Sequence, residues 1–369
     1  FQMSFPCEQF EWNGKAIPLE AIEGVTAVIN LAGQPIFDHS WTQSYRRLVL
    51  DSRRDAGTAL RRAMKKTVVK PKVVIQISGT DYYGMEPRDA DCDEASVAGS
   101  DFMSEVGKVG EEHAEGLEEH TRLCIVRMGL VLGWEGGGLP RLWDVYASGC
   151  GGVLGNGGQW MNWVHVDDIT RFCAEVVENE QYRGVYNLVA PGNATNREFH
   201  LRFCEHTPSL KFLMAPKLYL KALMGERANF LLQAPRVTTS RAQKDGFTYQ
   251  YPNLESAFRD FMTERTRGHA HYVKLKQWLP KDSLQYPDAP NVTACPDRHF
   301  LYALLNHQVY IHPLGGGTLM ETRVEYTLRF FPFLEGMLWY VRGRVYRKLA
   351  ERRVMFAEWS CSEKNGPID

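Results

Sequence analysis

The run Val25-Thr-Ala-Val-Ile-Asn-Leu-Ala-Gly33 decides the fold. It is apolar, rich in β-branched residues and closes on small ones. That is the pattern of a parallel strand buried on both faces that delivers a tight turn. Working outward, residues 42–65 place Tyr45, Leu48, Leu50, Ala56 and Leu60 among helical apolar positions, and Pro71 stops that helix. Val73-Val-Ile-Gln-Ile-Ser78 is a second buried strand, followed by the loop Gly79-Thr-Asp-Tyr-Tyr-Gly84. Residues 101–120 are polar and Glu-rich and predict an exposed helix, and Leu123-Cys-Ile-Val-Arg-Met-Gly-Leu-Val-Leu132 predicts a third strand. Glycine clusters at 136–138 and 149–158 flank a helix around 139–147. Trp163-Val-His-Val-Asp-Asp-Ile169 opens a further helix capped by Asp167 or Asp168, and Gly184-Val-Tyr-Asn-Leu-Val189 is a closing strand. Strands and helices alternating at this spacing predict an α/β fold, a doubly wound parallel sheet with helices on both faces.

From about 194 to 262 helices dominate, as in a cap over the mouth of such a sheet. The pattern then changes. Residues 299–310 and 316–330 read as two long strands joined by His312-Pro-Leu-Gly-Gly-Gly317, a hairpin with a glycine turn. A helix over 333–356 follows, with Leu334, Met337, Leu338, Val341, Val345 and Leu349 on one face and Arg342, Arg344, Arg347, Lys348, Arg352 and Arg353 on the other. The chain therefore divides into an α/β domain, 1–265, and a smaller α+β module, 266–369.

With 43 basic and 44 acidic side chains the formal net charge is −1, which gives no bulk attraction to nucleic acid or anionic lipid. Membrane contact is expected to be at most peripheral, through the basic face of 333–356, whose default reading is a solvated surface. No stretch approaches the ~18 consecutive apolar residues of a membrane-spanning helix. The eight cysteines include no Cys-x-x-Cys pair and no histidine at zinc-finger spacing, which predicts reduced thiols, a reducing compartment and no metal site. The first residue is Phe1 rather than Met, as in a processed organellar protein or a piece of a longer chain.

A family resemblance rests on ordered motifs. These are Asn30-Leu-Ala-Gly33, Asp51-Ser-Arg53 with Gly57-Thr58, Ser78 with Tyr82-Tyr-Gly84, and Arg127-Met-Gly-Leu-Val-Leu-Gly133. Gly155-Asn-Gly-Gly-Gln159, Trp163-Val-His-Val-Asp-Asp168, Asn187 with Ala190-Pro191, Thr195-Asn196, Gly225-Glu226 and Gly246-Phe247 complete the series. Over residues 8–262 the chain resembles the epimerase-family proteins of the atypical short-chain dehydrogenases, which carry a small C-terminal domain of unknown role. The module resembles, more faintly, half of a START-like domain of the polyketide-cyclase type, on Gly317-Thr-Leu-Met-Glu-Thr-Arg-Val-Glu-Tyr326 and the basic helix.

The resemblance implies a Rossmann-like sheet and NADP or NAD as cofactor. It also implies a starting strand with a Gly-x-x-Gly-x-x-Gly turn, whose glycines and helix N-terminus hold the pyrophosphate. Only Gly14 and Gly24 precede Val25. A doubly wound sheet without its first strand leaves edge groups unpaired, at roughly 1–3 kcal/mol for each buried one. Three arrangements satisfy this: residues ahead of Phe1, a strand lent by another polypeptide, or a rebuilt sheet. The strand that tells NAD from NADP is missing with it.

Ordinary short-chain dehydrogenases use a Tyr and a Lys four residues on as proton relay. The corresponding helix reads Asp101-Phe-Met-Ser-Glu-Val-Gly-Lys-Val-Gly-Glu111, without a tyrosine, and Gly110 stands where relatives carry Trp. The candidate catalytic residues are then Ser78, at a strand's C-terminal end, and the phenols of Tyr82 and Tyr83. Each has a plainer reading, as a loop-satisfying hydroxyl or as wall residues. By resemblance Asn30, Ala32 and Gly33 face the ribose and phosphates, with Ser78 beside them, although a tight turn alone also demands Gly33. Arg127 meets either a phosphate or a carboxylate. His165 and Asp168 read better as a buried imidazole and a helix cap than as an acid–base pair. The functional expectation is a non-catalytic accessory or scaffold subunit of a larger assembly, with the mitochondrial respiratory chain as a home. The alternative is an NADP-dependent oxidoreductase or epimerase lacking its N-terminal segment. Other protein subunits are the expected partners.

Overall fold

The computed structural model describes residues 10–264, apart from 11, 13, 38 and 135, together with the backbone of 270–280, 302–314 and 317–328. In chain order the first elements are β1 (Ala27–Asn30), α1 (Gln43–Lys66), β2 (Val73–Gly79), α2 (Phe102–Glu115), β3 (Arg122–Met128), β4 (Leu130–Gly133), β5 (Gly136–Gly137) and α3 (Gly138–Ala147). They are followed by β6 (Val153–Leu154), β7 (Trp160–Met161), β8 (Trp163–His165), α4 (Val166–Glu178), β9 (Gly184–Leu188), β10 (Ala194–Thr195) and α5 (Asn196–Cys204). Next come β11 (Met214–Ala215), α6 (Lys217–Met224), α7 (Ala228–Leu232), α8 (Ser240–Lys244) and α9 (Leu254–Glu264). β12 (Ala270–Pro280), β13 (Tyr302–Leu314) and β14 (Gly317–Leu328) close the series.

β1, β2, β3 and β9 form the main sheet in that order, all parallel. Alternate side chains of β2 feed two apolar layers, as the two-residue period of a strand requires. Val73 and Ile75 join Val126, Tyr186, Leu188 and, from α4, Phe172 and Val176. Val74 joins Ile125 and, from α1, Leu60, Ala63 and Met64. Helices thus cover both faces of a parallel, Rossmann-like sheet, as the alternation predicts. α1 starts where Thr42 caps the Tyr45 N–H, but Val49 rather than Leu48 faces inward, and Leu48 is 49% exposed.

Several expectations need correction. β1 is parallel but half-covered: among the described residues β2 is its one neighbour, and Ile29 is 46% exposed. The expected third strand, 123–132, breaks into β3 and β4, which lie in different sheets. The break falls at Gly129, where a Cβ would stand 2.3 Å from the Asn162 carbonyl oxygen, so a side chain cannot pass there. The Glu-rich stretch is no exposed helix: α2 buries Phe102, Met103, Val106, Ala114 and Glu111. α4 is capped by neither Asp167 nor Asp168 but by His165, whose Nδ1 accepts the Asp167 N–H at 3.2 Å. Asp168 is inside the helix because its carboxylate is used elsewhere.

The chain divides into two compact units, one of Phe10–Tyr146 with Cys150–Arg259, the other built mainly from Asp260–Asp369. The second holds an antiparallel sheet in the order β12-β14-β13. β13 and β14 are the hairpin expected from the sequence, in register from Tyr302↔Leu328 to Leu314↔Gly317 with one irregularity at 304–306. β12, also antiparallel to β14, was not foreseen. The basic helix expected over 333–356, and with it most of the START-like resemblance, lies outside the described residues. No described helix is long and apolar enough to cross a membrane.

Candidate functional site

The C-terminal ends of β1 and β2 deliver their following residues to one cavity of about 240 Å³. In open α/β sheets this edge is where ligands bind. Leu31, Ala32, Gly33 and Ile36 come from the β1 side, Gln76 to Gly79 and Asp81 from β2 and the turn after it, Arg53 from α1. Met103, Val106, Gly107 and Gly110 of α2 close the remaining wall. Ala32, Gly33 and Ser78 of the expected site residues are therefore brought together. Asn30 stands one residue behind the wall and shapes it: its Oδ1 accepts the Ala32 N–H, and its Nδ2 donates to Gln76 Oε1 at 2.7 Å. Gly33 is required by close approach rather than by a left-handed turn. A Cβ there would lie 3.1–3.2 Å from the Arg53 guanidinium, and its φ is not positive.

Behind the cavity, Ser78 donates to Glu111 Oε1 at 2.6 Å. Arg127 grips the same carboxylate with two atoms, Nε to Oε1 at 2.9 Å and Nη2 to Oε2 at 2.7 Å. Side-chain exposures of 4% and 6% make this a buried, two-pronged ion pair. Burial pulls the Arg127 pKa down, and the hydrogen bonds and charge of Glu111 more than reverse this. Of the two readings of Arg127, the structure places the carboxylate one. Glu111 was missed because a buried Glu cannot be told from its exposed neighbours Glu112 and Glu115 by sequence.

The two tyrosines stand outside the cavity lining. The Arg127 Cζ lies 3.4 Å from the centre of the Tyr82 ring, a cation–π contact that covers one face. Tyr83 is 1% exposed; its hydroxyl donates to Asn187 Oδ1 at 2.6 Å and accepts from Arg127 Nη1 at 3.0 Å. Burial pushes that phenol up to about 12, against the lowering influence of Arg127. On α2, Gly107 packs on the Tyr82 backbone, where a Cβ would meet Cα at 3.2 Å. The Tyr83→Phe variant is expected to lose about 1–2 kcal/mol of unfolding free energy, because Asn187 loses its donor. A phenol that works catalytically would instead make this variant inactive with unchanged stability, so urea titration separates the two roles.

Asp81 and Arg53 complete the wall and were not singled out from sequence, although Arg53 lies in the quoted Asp51-Ser-Arg53 motif. The Asp81 carboxyl accepts no hydrogen bond among the described residues, and burial, with the charge of Asp101 adding and Arg53 opposing, pushes it up to about 6. His165 and Asp168 lie elsewhere, as helix cap and backbone clamp.

Known proteins agree with this geometry. Residues 13–188 match the NAD dependent epimerase/dehydratase family and 215–261 a domain of unknown function, DUF1731. The chain is 31% identical over 257 residues to the chloroplastic epimerase family protein SDR39U1 homolog of Arabidopsis thaliana, covering 69% of this chain and 72% of that one. It is 33% identical to SDR39U1 of Mus musculus, over 63% of this chain and 80% of the relative. Among solved structures, human SDR39U1 with NADPH superposes with a TM-score of 0.62 at 31% identity, over 66% of this chain and 84% of that one. A nucleoside-diphosphate sugar epimerase from Corynebacterium glutamicum, at 21% identity and TM-score 0.55 over 67% and 48% of the two chains, shares the fold. With the parallel sheet, the ordered motifs and the C-terminal domain all in place, the chain belongs to the epimerase family whose members join the NAD dependent epimerase/dehydratase domain to DUF1731.

Proposed function

We propose that this chain holds the nicotinamide end of NADPH or NADH in the cavity at the ends of β1 and β2 without turning it over, as an accessory subunit of a larger, organellar assembly. The observation that carries the reading is that no phenol at the site is free to move a proton. Tyr83 is committed to Asn187 and Arg127, Tyr82 lies under a guanidinium, and α2 offers Gly107 and an ion-paired Glu111 instead. The cavity suits part of a dinucleotide. Its glycines leave room for a flat ring, and a Cβ at Gly110 would meet nothing within 4 Å. At about 240 Å³ it is smaller than the roughly 300–1,000 Å³ of a site that encloses a drug-sized ligand. Ala32, Gly33 and Ser78 are the residues that would line the bound ring and ribose; when bound, the dinucleotide supplies a hydride. A relative solved with NADPH and a chloroplastic relative support cofactor and compartment.

Calorimetric titration of NADPH and NADH into the full chain, with cofactor absorbance followed in the presence of carbonyl and sugar-nucleotide substrates, tests this. The expected result is binding without cofactor consumption, from protein that migrates in a large complex on native gels. Steady turnover would remove the non-catalytic half of the reading, and absence of heat at millimolar cofactor the binding half.

One observation favours the second reading, an NADP-dependent oxidoreductase or epimerase. The free carboxyl of Asp81 is a proton carrier in the cavity wall. Its value of about 6 exceeds the ordinary 3.8, so folding takes up a proton between those pH values, and stability falls as pH rises through that window. The Asp81→Asn variant should lose this slope and gain about 1–3 kcal/mol over the parent near pH 7, read by urea titration along a pH series. On the second reading the same variant also abolishes turnover; on the first there is none to abolish.

A further inference from the structure

Resting on the dinucleotide reading of the cavity, we infer that Arg53 is its phosphoryl anchor: the outward Nε–Nη2 edge of the guanidinium takes two oxygens of the phosphate nearest the nicotinamide ribose. The side chain is held on three sides. Its Nη1 donates to the Gln34 carbonyl at 3.1 Å and to the Val49 carbonyl at 3.0 Å, and approaches the Ser52 hydroxyl at 3.3 Å. Its flat face lies on Gly33, with Cζ, Nη1 and Nη2 all 3.1–3.2 Å from where a Cβ would sit. Nε and Nη2 engage nothing among the described residues. These two atoms form the edge that matches a phosphate or carboxylate fork.

The electrostatics agree with the geometry. Arg53 lines the cavity, forms no ion pair among the described residues, and is destabilised as a cation by burial, with Asp81 and then Tyr45 as the groups that oppose this. A fixed cation short of water and of counter-charge, with its pairing edge uncommitted, is organised in advance for an anion. Asp81 shares the wall without closing on it, so the vacancy in charge is met from outside the chain. The cavity's size selects a mononucleotide half over an entire dinucleotide, and in that half the phosphate is the anionic group.

The test compares reduced nicotinamide mononucleotide with reduced nicotinamide riboside, which differ by that phosphate alone, by calorimetry on the full chain. The parent should bind the mononucleotide about ten- to a hundredfold more tightly. Arg53→Met should erase the difference while leaving riboside affinity unchanged, and Arg53→Lys should retain part of it. On the unaltered protein, added salt should weaken the mononucleotide and spare the riboside, which keeps the inference open to refutation where a variant misfolds. Equal affinities in the parent, or a gap that survives Arg53→Met, overturn the anchor but leave the dinucleotide reading standing if NADPH still binds. No binding of either compound or of NADPH overturns both.

Discussion

Replacing Arg127 by methionine is expected to destabilise the α/β unit by about 3–5 kcal/mol, because it leaves the Glu111 carboxylate buried without a counter-charge. Against a total of roughly 5–15 kcal/mol for a domain, this brings the unit close to unfolding. Three further contacts go with the guanidinium: its bond to the Tyr83 hydroxyl, its seat on the Tyr82 ring, and its two-pronged hold on Glu111. Ser78 alone would remain to satisfy Glu111. The double variant Arg127→Met with Glu111→Leu should recover most of the loss, since an apolar pair of similar volume removes both charges together. Urea midpoints of the parent, both single variants and the double variant give the coupling. A double variant no more stable than Arg127→Met would place the stabilising role in the tyrosine contacts rather than in the ion pair.

That network marks the boundary of what the sequence discloses. The parallel sheet was legible because Val25–Gly33, Val73–Ser78 and the run from Leu123 are continuous apolar segments whose length suits strands alone. The placement of Ala32, Gly33 and Ser78 at one edge follows from that, since parallel strands end on the same side. Three-dimensional pairing was not legible. Glu111 lies in a run of acidic residues, and only α2 docking on Ser78 and Arg127 distinguishes it. Gly33 reads as a turn residue until Arg53, twenty positions on, is seen lying flat against it. The break at Gly129 is invisible in an apolar run, because its cause is the Asn162 carbonyl of a distant segment. In each case the deciding partner is remote in sequence, and neither periodicity nor propensity carries that information.

Asp168→Ala gives the second large effect, and it separates the clamp from the acid–base role that His165 and Asp168 suggest in sequence. Asp168 is fully buried, and its two oxygens accept the backbone N–H groups of Gln250 at 2.7 Å and Tyr251 at 3.0 Å. The same Oδ1 takes a weaker bond from the half-exposed Arg171. The carboxylate therefore ties residues 250–251 to α4, where the Tyr251 ring also stacks on His165 at 3.8 Å. Alanine leaves two amides without an acceptor, a loss of about 2–5 kcal/mol at roughly 1–3 for each unmet group. The loss should be local before it is global, since backbone released at one anchor opens in its own segment first. Hydrogen exchange at Gln250 and Tyr251 is thus expected to accelerate well beyond exchange in β2 and β3. Asp168→Asn, which keeps one oxygen, should fall between parent and Ala. An Asp168→Ala protein whose amides at 250 and 251 stay as protected as the parent's would mean that the Tyr251–His165 stack holds this segment unaided.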